Sequence, residues 1–273
     1  MSENPQSTVK TEPPATAVPR WHWLLSKDGI ATLVAIFALI ASVTFNIIQL
    51  RAKQEMPDFQ PVGTFASGEL MDAIIQQCKR GSTDSPVPRL QIVADFAAYG
   101  AFSHPQKFNE YVDILRRRSD NGKNSVSCVF LSEQRRRDVV LLEFKDFDAL
   151  LKTKPFLEKA QKYLVSDYPL RAAKELGLAT KALSPETLTM NEFVDLNIRA
   201  DNLLIADLRN WGVKVKFYPY LLTVHAWSGT RDDALMAIVD FEGVVDETGF
   251  LARRQVAENI QKVFEITDKG SVP

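Results

Sequence analysis

The sequence predicts an α/β protein: a mixed sheet with flanking helices, a mostly helical insert, and one N-terminal transmembrane helix. Three observations carry this expectation. Residues 30–50 (IATLVAIFALIASVTFNIIQL) form an uncharged run of 21 residues. Two short apolar segments, 90–94 and 125–131, enclose an amphipathic stretch at 106–118, the pattern of a βαβ unit. A long region of helical period, 138–208, then gives way to short apolar segments spaced like strands.

Taken in order, residues 1–27 begin with a stretch rich in proline and small polar residues that cannot build a core, so a disordered tail is expected. At about 1.5 Å rise per residue, the run at 30–50 is roughly 30 Å long as a helix, the thickness of a hydrocarbon core. Lys27 and Asp28 stop it on one side, Arg51 and Lys53 on the other, which sets a transmembrane helix at 28–50. Trp21 and Trp23 suit a membrane interface. The run is too long and starts too late for a signal peptide, and no small-x-small cleavage site follows it. Single-pass residence in the cell membrane is therefore expected, with the lipid bilayer as a partner. Basic residues on the two flanks nearly balance, so the side on which the domain lies stays undecided.

Residues 51–61 read as a polar linker and 62–273 as the α/β domain. Within the domain, 68–79 has helical spacing with Ser67 as N-cap, and 81–88 is a loop. Strand 90–94 ends at Asp95, helix 106–118 ends in three arginines, and strand 125–131 follows. The helical insert covers about 146–200, with Ser184, Pro185 and Glu186 marking a helix start. Gly212 closes the last of these helices. Strands at 213–218, 223–227 and 234–240 and a final amphipathic helix at 255–266 complete the chain.

Composition narrows the function. The formal net charge is −1, so no global basic field draws the chain to nucleic acid, and a nucleic-acid partner is not expected. Two cysteines and three histidines argue against a disulfide framework and a structural zinc site. Cys78 and Cys128 both fall at apolar positions and read as small core residues. The acidic residues Asp232, Asp233, Asp240, Glu242, Asp246 and Glu247 fit no known metal loop. No P-loop, GxGxxG, HExxH or GxSxG motif occurs, and no cofactor is expected.

The strongest catalytic candidate is His225 in HAWSGTRD, with Trp227 two residues on and Asp232 seven on. This resembles the phospholipase D superfamily motif H-x-K-x-x-x-x-D, with Trp in the place of Lys. The context is similar as well: a helix closed by Gly (LRNWG), a strand (VKVKFY), a turn, the His-bearing strand, another strand (ALMAIVD), a variable segment and a closing helix (QVAENIQKVFE). The resemblance covers about 130 residues and skips the insert. It implies a half-domain whose chemistry needs two facing histidines, each accompanied by a phosphate-binding Lys, and hence a homodimer. An indole cannot offset phosphate charge, and the Gly-Ser that normally follows is replaced by Val239–Asp240, whose carboxylate would repel phosphate. The resemblance thus implies the fold without the usual reaction; otherwise His225 is a lone histidine satisfied by a neighbour.

Two further groups stand out. Tyr99, Ser103, His104 and Lys107 lie between a strand end and a helix start, where α/β ligand sites form; the plain alternative is a capped helix start with packed aromatics, eased by Gly100. Arg135, Arg136 and Arg137 follow strand 125–131 and could contact phosphates or anionic lipid headgroups, or simply form a solvated surface.

Three functional classes compete. One is a membrane-anchored, non-catalytic phospholipase D-like binding or scaffold module with an unknown protein partner. The second is a homodimeric phosphodiesterase or nuclease working through His225 and Asp232. The third is an unrelated α/β sensory domain. The missing Lys favours the first.

Overall fold

The computed structural model describes residues 59–80, 90–120, 125–178, 183–222, 224–229, 233–238 and 247–272. The expected tail, the apolar run at 30–50, the loop at 81–88 and Asp232 lie outside these residues. Among the described residues, no helix is long and apolar enough to cross a membrane.

The described strands are β1 (Phe59–Thr64), β2 (Leu90–Ala94), β3 (Val126–Leu131), β4 (Lys214–Tyr218), β5 (Val224–Ser228), β6 (Asp233–Ile238) and β7 (Thr248–Arg253). They form one seven-stranded sheet in the order β1-β7-β6-β5-β2-β3-β4. β2, β3 and β4 are parallel neighbours, whereas β5 joins β2 antiparallel and β6, β7 and β1 continue antiparallel. The helices are α1 (Glu69–Lys79), α2 (Pro105–Asp120), α3 (Glu133–Glu143), α4 (Phe147–Leu150), α5 (Lys154–Leu164), α6 (Asp167–Glu175), α7 (Met190–Asn210) and α8 (Arg254–Lys269).

Strand alternation sorts the core into two layers. Ile92, Cys128, Phe130 and Trp227 face the side covered by α1, α2 and the helices of the insert. Val93, Val129, Leu131 and Ala226 face the other side, where Ala257, Ile260 and Phe264 of α8 cover them. The whole run α3 to α7 is the connection between β3 and β4. Parallel neighbours require a crossover, so the insert is that crossover, elaborated. An aromatic cluster fastens it down: Phe102, from the turn after β2, meets Phe144, Phe156, Tyr163 and Phe193 with ring centroids 5.5 to 6.2 Å apart.

Several boundaries differ from those expected. The linker ends early, because β1 begins at Phe59. β7 occupies part of the segment that read as variable. Ser184 caps only a 3-10 turn, Pro185–Thr187; α7 begins at Met190, where Thr189 and Glu192 form a capping box. Gly68, at φ 81°, holds the N-cap of α1, and the Ser67 hydroxyl accepts the Glu69 N–H at 3.3 Å. α3 starts at Glu133, so Arg135–Arg137, which follow strand β3, lie in the first turns of a helix.

Candidate functional site

β5 runs antiparallel to β2 with Ala226 opposite Val93. The first residues of β5 therefore lie beside the carboxyl end of β2, bringing His225 to Asp95. β5 also pairs with β6, His225 opposite Ala237, and Ala237 pairs with Gly249 of β7. That register carries Glu247, just before β7, to the same end of the sheet. The turn after β2, which Gly100 makes possible at φ 84°, folds Tyr99 back over them.

His225 is 1% exposed. Its Nδ1 lies 3.3 Å from Glu247 Oε2. Its Nε2 lies 3.2 Å from Asp95 Oδ2, an ion-pair distance without hydrogen-bond alignment. The Tyr99 hydroxyl donates to the same Glu247 oxygen. Burial pulls the imidazole pKa down, but Asp95 and Glu247 outweigh it and push it up to about 10. Burial, reinforced by Glu247, raises the Tyr99 phenol well above its ordinary value. Glu143, at the end of α3, keeps an exposed face; protein crowding its carboxyl, with the charges of Glu247 and Asp95, pushes it up to about 7.

At neutral pH His225 is thus an imidazolium enclosed by two carboxylates. It has no lone pair to attack phosphorus or take a proton. Trp227, on the same face of β5, is fully buried, 5.3 Å from Tyr99 and 6.2 Å from His225 between ring centroids. Among the described residues, no group of three or more His, Cys, Asp or Glu side chains is arranged to hold a metal ion.

Of the four residues expected after β2, only Tyr99 meets His225. His104 donates from Nε2 to the Phe65 carbonyl at 2.6 Å, and Lys107 bonds the Gly68 carbonyl at 2.9 Å and Asp72 at 2.8 Å. Their polar atoms fasten the β1–α1 turn. Ser103 is half-buried in the same loop.

The arginines divide three ways. Arg135 is exposed and reaches the Pro219 carbonyl at 3.1 Å and Asp138 at 3.2 Å. Arg137 pairs with Asp195 at 2.5 Å. Arg136 does not face lipid or phosphate: the helical turn points it inward, where it is 1% exposed and ion-paired with Asp201. It also donates to the Leu131 carbonyl at 3.1 Å and to Asn202 at 2.7 Å. Asp201 in turn accepts the Ala98 N–H at 2.6 Å, so this pair holds the turn that carries Tyr99. Sequence reasoning passed over Asp95, Glu247 and Asp201 as site residues, and expected Arg136 at a phosphate or headgroup contact instead of in a buried ion pair. Asp95, at the end of an apolar strand, carried the one usable signal.

No protein-family model matches the chain, and no curated protein matches it. Among solved structures the chain is similar to TrmBL2, an archaeal chromatin protein whose structure shows a novel mode of DNA binding. The identity is 8%, the TM-score 0.34, and the match covers 90% of this chain and 66% of that one. A likeness of that degree carries no argument about fold or function.

Proposed function

We propose that the α/β domain is a non-catalytic, phospholipase D-like binding or scaffold module, tethered to a membrane through residues 30–50. The observation that carries the non-catalytic reading is the burial of His225 between Asp95 and Glu247, whose charges raise its pKa and favour the protonated ring. Trp227 at the position of the motif lysine adds to it, because nothing there neutralises a phosphate. Supporting the phospholipase D-like reading is the order of elements: α7 closed by Gly212, then β4, the His-bearing β5, β6 and, at the end, α8. The membrane tether rests on the length and neutrality of the 30–50 run.

The test uses the full chain in lipid nanodiscs with bis(p-nitrophenyl) phosphate in the presence of chelator. The expected result is no turnover above that of His225→Asn. Turnover that His225→Asn abolishes, with the near-ultraviolet circular dichroism of the variant unchanged, overturns the reading in favour of a phosphodiesterase. For the tether, the chain is expected to float with liposomes and resist alkaline extraction; release into the supernatant removes it.

A further inference from the structure

Away from the His225 network, α3, α7, β4 and Val272 line an open cleft of about 550 Å³, a size typical of small-molecule sites. α7 contributes Asn202, Ile205 and Arg209, spaced to lie on one face. Glu133 and Arg136 come from α3, and Phe217 of β4 supplies an aromatic surface. The back of the cleft is rigid, because Arg136 is already committed to Asp201, Asn202 and the Leu131 carbonyl.

Two charges there remain unneutralised. Arg209 is exposed, with its guanidinium 5.2 Å from the Phe217 ring centroid, and has no ion-pair partner among the described residues. Glu133 accepts one hydrogen bond, from Asn202 at 2.8 Å, and likewise meets no cation among the described residues. A simple anion would suit Arg209 but be repelled by Glu133, and a simple cation the reverse. A molecule bearing both charges suits both. The Phe217 ring carries the Arg209 guanidinium 5.2 Å and the Arg136 guanidinium 5.7 Å from its centroid, which steadies Arg209 for a carboxylate, and Ile205 and Val272 offer apolar surface.

We propose that this cleft binds a free amino acid with an apolar side chain, its carboxylate on Arg209 and its ammonium on Glu133. The assignment is independent of the role given to His225.

Titration calorimetry on the full chain in nanodiscs tests it with four probes: leucine, phenylalanine, N-acetylphenylalanine, which lacks the ammonium, and phenylalanine amide, which lacks the carboxylate. Leucine and phenylalanine are expected to bind, and each blocked probe to bind about tenfold or more weakly, the effect of one charge-assisted contact. Arg209→Ala should erase the penalty for the amide, and Glu133→Gln the penalty for the N-acetyl compound. Both side chains are on the surface, so the thermal midpoint should stay close to wild type and certify the fold. No binding by any probe overturns the proposal. So does N-acetylphenylalanine binding as tightly as phenylalanine, or affinities that neither substitution changes.

Discussion

Tyr99 stands edge-on to His225, ring centroids 5.3 Å apart at 85°, and both reach the same oxygen of Glu247. One carboxylate thus gathers a phenol from the turn after β2 and an imidazole from β5. The cluster is a largely buried polar knot, with Glu247 still 17% exposed, beside an apolar layer, and its charge state feeds directly into stability.

Because folding raises the His225 pKa from 6.5 to about 10, the folded state holds a proton that the unfolded state releases within that window. Its contribution is complete below about 6.5 and fades as pH climbs to about 10. The urea midpoint of the wild-type protein should therefore fall across this range, and His225→Gln should flatten the fall. An identical slope in both proteins would remove the imidazolium from the account.

Glu143 acts with the same sign in a lower window. Its carboxyl is pushed from 4.5 to about 7, so the folded state also binds the extra proton there, and stability declines as pH rises through that interval. Glu143→Gln should remove this decline and leave the protein more resistant to urea than wild type above pH 7, with little difference near pH 4.5. Carbon-13 labelling of the glutamate side chains would report the titration itself; a midpoint at the ordinary glutamate value contradicts it.

Arg136 and Asp201 are both almost wholly buried, and removing one strands the other. Arg136→Met is expected to cost about 3–5 kcal/mol, the range for an uncompensated buried charge. Combining it with Asp201→Asn should cost less than the sum of the two single changes. Chemical denaturation of the four proteins gives the coupling, and strictly additive losses would count against the pair.

Segments buried on both faces were the easiest to read. β2 and β3 are apolar apart from Gln91 and Ser127, and the helix between them has one clear face. β1 and β7 escaped notice for a physical reason. β1 is an edge strand holding Pro61 and Gly63, its first half is exposed, and it is held by backbone pairing with β7 instead of by an apolar pattern. The site was half readable. His225 stood out by its motif, but Glu247 reaches Tyr99 across 148 positions and Arg136 reaches Asp201 across 65. Contacts at that range come from sheet register in the first case and helix packing in the second, and local periodicity encodes neither.

Cys78 on α1 and Cys128 on β3 are free, buried thiols in the same layer. Burial pushes Cys78 up to about 12, with the nearby Arg118 only partly opposing it, and burial likewise raises Cys128. Reaction with a disulfide reagent needs the thiolate and needs access, and both are withheld in the folded state. Neither cysteine should react under native conditions, whereas denaturant should expose both together. Their labelling rates should match each other and track global unfolding, since α1 and β3 belong to one cooperative core. Rapid labelling of Cys78 alone would instead show that α1 detaches from the sheet while the rest stays folded, and that the layer over His225 opens independently.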